Sequence, residues 1–545
     1  MKHLVICREY PPAPSGGIGT YVGNMSRLLA EAGETVHVIG QRWKGAEKTL
    51  EERYNGRLVI HRLPCENWRA VLRSRPHSLL QSKTARALYG VDFPPLCFSW
   101  LASSLAERLV AEEGIDLVEA QDYEAPLYYF QLRRALGLGP KRHPPCIVHL
   151  HSPTEFIARH NEWDLALSRW QTTKRLEDYS ILSADALLCP STFLARQVES
   201  QYGLQAEGIE VIPYPLSEIA TVERQADVWN TGSICYVGRL EKRKGLLEWI
   251  AAAVTSAEQY PNAHFEFVGA NVLGPNLILS EAILNRLVPR HLRARFVFHG
   301  AVDRSAVPQF LERARIAAVP SRWENFPHTC IEAMASGLPV IASPEGGMKE
   351  MIVEGQTGWV AKSATQDGFR DVLRHALDTS PMRLAEMGSA ASLDIRHLCD
   401  TQAVVEQQMR FRRRLLMQGA RDSVPLVSLR NCPIEIHGRT RLSIQEVLAD
   451  YPTDGLASQE QNPGNEDYAS LERFAELASQ DIDCVRTQTP YPEAIRSKEW
   501  AGGLWEPLAT LRCLVGNPRM TLRVLQEVTT RFLRRTQMQR AELRS

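Results

Sequence analysis

The chain has no charge to spare in either direction. Its 63 lysines and arginines are matched by 63 aspartates and glutamates, so no net field draws it to nucleic acid or to an acidic surface, and any such attraction has to be local. It lacks any run approaching the ~18 apolar residues that a spanning helix needs. No C-x-x-C pair occurs among its 11 scattered cysteines, which argues against a zinc site and for reduced thiols in the cytoplasm. The opening apolar run is cut off by Arg8 and Glu9, too early for a signal peptide, and reads as a first buried strand. No repeat of solenoid type is present. What remains, 44% hydrophobic over 545 residues, is an ordinary globular composition in a chain too long for one core, suggesting roughly two to four domains.

Short apolar strands alternate with helical patterns twice over, as in parallel sheets covered by helices on both faces. The first series predicts strands at 3–7, 35–39, 58–61, 117–120, 147–150 and 186–189. Its first helix carries Val22, Met25, Leu28 and Leu29 inward and stops at Gly33, and the series makes one doubly wound domain over 1–215. Residues 216–233 are polar and unpatterned and read as a linker. A second series over 234–393 predicts strands at 234–237, 264–268, 295–299 and 316–319, with helices at 246–260 and 307–314. Two such domains facing each other leave a cleft at the carboxyl ends of their strands, where ligands bind. An arginine-rich amphipathic stretch, 394–420, reads as one long closing helix. The extension 421–545 has the composition of a disordered segment over 453–468 and recovers helical patterning near its end. Between Pro518 and Ser545 seven arginines stand against Glu527 and Glu542. With Leu522, Leu525, Val528 and Phe532 on one helical face, that tail suits either a peripheral contact with anionic lipid or packing back on the protein.

The groups that could do chemistry fall at strand ends. Glu324 and Glu332 stand eight positions apart in a segment read as a loop entering a helix near Thr329, stopped by Gly337, with a strand from Pro339. Both carboxylates can face one crevice, offering acceptors to polyol hydroxyls beside helix N-terminal amides that suit an anion. Thr329-Cys-Ile-Glu332 also fits a capping box, in which Glu332 would bond only the N-cap amide. Gly16-Gly17-Ile-Gly19 follows a strand and opens a helix, so glycine there either admits a phosphate or supplies positive φ angles; Val22 breaks the G-x-G-x-x-G pattern. In Gly238-Arg239-Leu-Glu-Lys-Arg-Lys244-Gly245, Arg239 and Lys244 could neutralise a departing diphosphate, against the alternative of a solvated charge run. His149 and His151 close an apolar strand. His151, nearer the end, is the candidate for a sugar hydroxyl, with a loop carbonyl as its other possible partner, and His149 supports it from the same side of the pleat. Asp481-Ile-Asp483 resembles a metal-binding D-x-D but has no strand-loop context, so no metal site is assigned.

In order, Gly16-Gly17, His151, Arg239 with Lys244, and the Glu324–Glu332 pair followed by Ala-Met-Ala-Ser-Gly-Leu-Pro-Val-Ile-Ala resemble the retaining glycosyltransferases of family 4, over about residues 1–420. The resemblance implies the α/β GT-B fold, two doubly wound Rossmann-like domains facing a central cleft. It implies transfer of a sugar from a UDP- or GDP-linked donor to a hydroxyl of a glycan or lipid-linked acceptor, with the anomeric configuration kept and without a metal or other cofactor. Arg239 and Lys244 would then hold the β-phosphate, Glu324 the donor sugar and Glu332 the ribose. Gly16 and Gly17 would admit the diphosphate, and His151 would touch the sugar near the reacting carbon. Val302 would border the base and Asn325 and Phe326 complete the donor pocket, its wall continued by Gly346, Gly347 and Glu350. Pro327 stands where the family often has glycine, which removes one amide donor, so the identity of the sugar does not carry over. A GT-B sugar-nucleotide epimerase and an inactive nucleotide-sugar sensor are the alternatives. A sensor would have lost a phosphate- or sugar-binding group, and none of these is missing.

Overall fold

The computed structural model describes residues 1–13, 16–43, 45–64, 84, 88, 93–163, 168–216, 219–271, 287–421, 441–451 and 465–486. The first series of elements runs β1 (Lys2–Ile6), α1 (Gly17–Glu31), β2 (Thr35–Gln41), β3 (Leu50–Arg53), β4 (Leu58–Leu63), α2 (Pro94–Glu113), β5 (Leu117–Gln121), α3 (Tyr128–Ala135), β6 (Cys146–His149), α4 (Thr154–Asn161), α5 (Ser168–Ser183), β7 (Ala186–Cys189), α6 (Thr192–Tyr202) and β8 (Glu210–Val211). Its eight-stranded sheet has the order β3-β4-β2-β1-β5-β6-β7-β8. All pairings are parallel except β3 with β4. Strands covered on both faces bury both sets of alternating side chains, which is why β5 and β6 are buried throughout; β6 reads as an apolar run, and β5 carries Glu119, buried against Arg412.

The second series runs α7 (Ala226–Thr231), β9 (Ser233–Val237), α8 (Leu246–Gln259), β10 (Phe265–Val268), β11 (Phe296–Gly300), α9 (Val307–Glu312), β12 (Ala314–Val319), α10 (His328–Ala335), β13 (Val340–Ala342), β14 (Gly358–Val360), α11 (Gln366–Asp378), α12 (Pro381–Leu398), α13 (Thr401–Gln418), α14 (Ile444–Leu448) and α15 (Asn465–Arg486). Its six-stranded parallel sheet has the order β11-β10-β9-β12-β13-β14. Winding reverses between β9 and β12 here, and between β1 and β5 in the first sheet. Crevices for ligands open at such reversals, beyond the carboxyl ends of the strands.

Three segments differ from their sequence reading. Within 216–233, Ala226–Thr231 form α7, and the Arg224 guanidinium donates to the carbonyls of Ala314 at 2.9 Å, Ser336 at 2.8 Å and Leu311 at 2.8 Å, fastening the segment to the second sheet's cover. The closing helix is two helices. α12 ends at Leu398, and the Asp400 side chain caps α13 by accepting from the Ala403 amide at 2.7 Å. α13 then returns to the first sheet, where Arg412 pairs with Glu119 of β5 and Gln408 donates to the Tyr21 hydroxyl at 3.3 Å. The last four residues of the 453–468 stretch open α15, while 453–464 and the basic terminal segment lie outside the described residues. Val447, Phe474 and Ile482 of α14 and α15 join the apolar core on one face of the first sheet. No helix among the described residues is long and apolar enough to cross a membrane.

Candidate active site

The second sheet's reversal is furnished by the loops after β9 and β12. Gly238 at φ 155° and Gly245 at φ 65° bend the first loop, and a Cβ on Gly245 would strike the Pro320 carbonyl. The tight turn Lys242–Lys244 between them aims Arg243 and Lys244 at Glu324, which follows β12. Arg243 donates to Glu324 at 2.6 Å, to Glu241 at 2.9 Å and to the Trp323 carbonyl at 3.2 Å, and Lys244 pairs with the same Glu324 oxygen. Burial would raise the Glu324 carboxyl, but the charges of Arg243 and Lys244 outweigh it and hold it down at about 2. Burial lowers the Lys244 ammonium from its ordinary value despite Glu324. Arg239 stands at the rim, its side chain 53% exposed and 3.3 Å from Glu241.

Glu332 does not cap its helix. α10 starts at His328 with Pro327 as N-cap and no side-chain cap bond, so Thr329 lies inside the helix and the capping box does not form. The Glu332 carboxylate pairs instead with Arg304, whose other arm donates to the Thr20 hydroxyl on α1. Burial keeps the Glu332 carboxyl above its ordinary value. Val302, two positions before Arg304, is partly buried against the apolar core. The next loop residues tie the two sheets together. Asn325 donates to the His151 carbonyl at 2.9 Å and accepts from the Ser191 hydroxyl at 2.5 Å, and Phe326 meets Tyr214 edge-on at 5.5 Å. Gly346 at φ 101° has room for no Cβ, since one would fall on the Glu324 carbonyl.

On the facing edge, Gly16 at φ −115° is the N-cap of α1 and Gly17 its first helical residue. Neither has positive φ, so close approach and not backbone conformation explains the pair. A Cβ on Gly17 would lie 3.3 Å from the His328 ring. His151 is held on both sides: its amide donates to Asp122 at 3.0 Å, and its Nδ1 lies 2.5 Å from the Tyr214 hydroxyl. The ring of His149 stacks on it at 4.2 Å. Burial, and then the neighbouring imidazoles, push His151 well below its ordinary pKa, and burial brings His328 down to about 4. Both imidazoles are therefore neutral at pH 7. The Nε2 of His151 is buried with no hydrogen-bond partner among the protein's own groups.

Two family models divide the chain between them. "Glycosyltransferase Family 4" matches residues 15–216 and "Glycosyl transferases group 1" residues 224–392, one for each sheet. The chain belongs to glycosyltransferase family 4. It is a glycosyltransferase. Among its relatives, a glycogen synthase of Mycobacterium tuberculosis is 27% identical over 393 residues, covering 69% of this chain and 86% of that protein. In fold it is similar to sucrose-phosphate synthase from Thermosynechococcus elongatus, with a TM-score of 0.56 at 20% identity over 76% of this chain and 99% of that one. Anabaena Alr3699/HepE in complex with UDP-glucose aligns with a TM-score of 0.54 at 16% identity, over 76% of this chain and 100% of that one.

The glycosyltransferase thus brings Gly16, Gly17 and His151 to one sheet edge and Arg239, Lys244, Glu324 and Glu332 to the other. Asn325 and Phe326 spend their side chains on joining the halves. Glu350, read as donor wall, accepts from the amides of Thr192 at 2.9 Å and Phe193 at 2.6 Å, at the start of α6. Sequence reading passed over Arg243, Arg304 and His328. The run Lys242-Arg-Lys244 does not say which cation turns inward; the tight turn decides it.

Proposed function

We propose that this glycosyltransferase moves a sugar from a nucleoside diphosphate donor to an acceptor hydroxyl with the anomeric configuration retained and without a metal. The observation that carries the reading is the cationic pair Arg243 and Lys244 on Glu324 at the second sheet's reversal, opposite Gly17 and an unpartnered His151 Nε2. Without donor, Lys244 rests on Glu324. With donor, its ammonium and the Arg239 guanidinium take the β-phosphate, where negative charge grows as the glycosidic bond breaks. Glu324 is then free to accept from sugar hydroxyls, fixed by Arg243 behind it. Glu332 exchanges Arg304 for the ribose, and His151 donates Nε2–H to the sugar near the reacting carbon. The acceptor, a glycan or a lipid-linked hydroxyl, enters at the first sheet's reversal, where Arg8, Glu9, Tyr123 and Glu124 line a recess of about 10 Å³, room for a single water, which has to open to admit it. A fold relative holding UDP-glucose makes UDP the first nucleotide to try, with GDP beside it.

Calorimetric titration tests these assignments. Wild type should bind UDP or GDP, Glu332→Gln should bind it more weakly, and Glu324→Gln should bind nucleotide normally but hydrolyse the nucleotide sugar slowly. Unchanged nucleotide affinity in Glu332→Gln would remove the ribose assignment.

A further inference from the structure

The described part of the extension, 441–451 and 465–486, lies beyond both family matches, yet it packs on the helices that cover the first sheet. Trp100 of α2 stacks on Phe474 at 5.3 Å and donates its indole N–H to Asp450 at 2.9 Å. The Arg133 guanidinium of α3 lies 3.8 Å from the centre of the Tyr451 ring. Asp481, almost wholly buried, is held by Arg175 of α5 and by the Tyr129 hydroxyl of α3 at 3.2 Å. The D-x-D pattern in the sequence therefore supplies a buried structural carboxylate at its first position.

Those same two helices carry the turn that borders the pocket. Glu124 and Ala125 have φ of 64° and 44°, a left-handed conformation that side chains other than glycine hold only where the surroundings impose it. Glu177 imposes it from α5: one oxygen accepts from the Glu124 amide at 2.8 Å, and the other from the Thr154 amide at 2.8 Å. The Ala125 carbonyl accepts from the Tyr128 amide at 3.0 Å, where α3 begins. Arg175 and Glu177, two residues apart, project about 200° apart around α5. The helix is thus gripped by the extension on one face and holds the Glu124 turn with the other. Glu124 in turn fixes Arg8 at 2.6 Å inside the pocket.

We infer that residues 441–451 and 465–486 brace the pocket at the first sheet's reversal, with Asp481 a positioning residue that acts through Arg175 and Glu177 on the Glu124 turn. The pocket's use for an acceptor rests on the function proposed above, but the coupling is measurable without donor or acceptor, so the two stand or fall separately. Hydrogen–deuterium exchange on the full chain reads it in wild type, Asp481→Asn and Glu177→Gln. Peptides carrying the Glu124 and Thr154 amides should exchange at least tenfold faster in both variants, with β1 and β2 unchanged. Peptides over 441–451 and 465–486 should loosen only in Asp481→Asn. Phe474→Leu, which weakens the same docking without touching a buried charge, should reproduce the Asp481→Asn pattern and replaces it if that variant does not fold. Loosening confined to 441–451 and 465–486, or spread evenly over the first sheet, would overturn the inference.

Discussion

Lys244→Met and Arg243→Met, neighbours in sequence, should fail in opposite ways. Lys244 shares Glu324 with Arg243, so its removal leaves that carboxylate one buried cation. The stability loss should stay well below the ~3–5 kcal/mol that follows when a buried charge is left without its partner. Catalysis should suffer instead. Taking away one preorganised group aimed at charge developing in the transition state costs about 3–4 kcal/mol, on the order of a hundred- to a thousandfold in kcat. Arg243 does different work. It joins Glu241, Glu324 and the Trp323 carbonyl, and Arg243→Met leaves Glu241 only the half-exposed Arg239, Glu324 only Lys244 and the carbonyl no donor, so its stability loss should exceed that of Lys244→Met and approach ~3–5 kcal/mol. Thermal melting and donor turnover on both variants separate the two roles. Full turnover in Lys244→Met, or a melting temperature as low as that of Arg243→Met, would refute the division.

Three further outcomes follow from individual contacts. Gly17→Ala should weaken nucleotide binding, because its Cβ would stand a tight 3.3 Å from the His328 ring where the diphosphate would pass, and calorimetry checks it; unchanged affinity would put the phosphates elsewhere. Arg304→Ala should tighten nucleotide binding about two- to fivefold in calorimetry, since it releases Glu332 from a half-exposed ion pair worth roughly 0.2–1 kcal/mol; weaker binding would make Arg304 itself a ligand. His328 is lowered from 6.5 to about 4 by burial, so between those values the unfolded chain binds the extra proton and stability falls as pH drops through that window. His328→Phe should therefore flatten the decline of melting temperature from pH 6.5 to pH 5, and an identical slope would contradict the neutral, buried imidazole.

Much of this was legible in the sequence, for definite reasons. Strands buried on both faces are continuous apolar runs, so Ala186–Cys189 could be read to the residue and β6 to within one. The two glutamates could be paired because a loop and a helix start at a strand's carboxyl end can only face the crevice. Long-range partners could not be read. Thr329-x-x-Glu332 has the letters of a capping box, and only the position of Pro327 and the reach of Arg304 from 28 residues away show that Glu332 turns from its own helix start to Arg304. Arg243 was hidden in a run of like charges. The break at Asp400 was hidden because amphipathic spacing continues through it, although the aspartate is itself a helix-start signal. The packing of α15 on α2, α3 and α5 joins residues some 300 positions apart, as in Arg175 with Asp481, and no local pattern encodes that.

Metal-free, retaining transfer from a nucleoside diphosphate sugar can be read from donor hydrolysis in EDTA. UDP- and GDP-linked hexoses are incubated with the full chain and no acceptor, and the configuration of the first sugar released is followed by NMR. Nucleoside diphosphate should be released slowly from one of the two donors, unaffected by EDTA and lost in Lys244→Met, with the sugar first appearing in the donor's own anomeric configuration. Activity that vanishes in EDTA and returns with manganese, or an inverted first product, would contradict it.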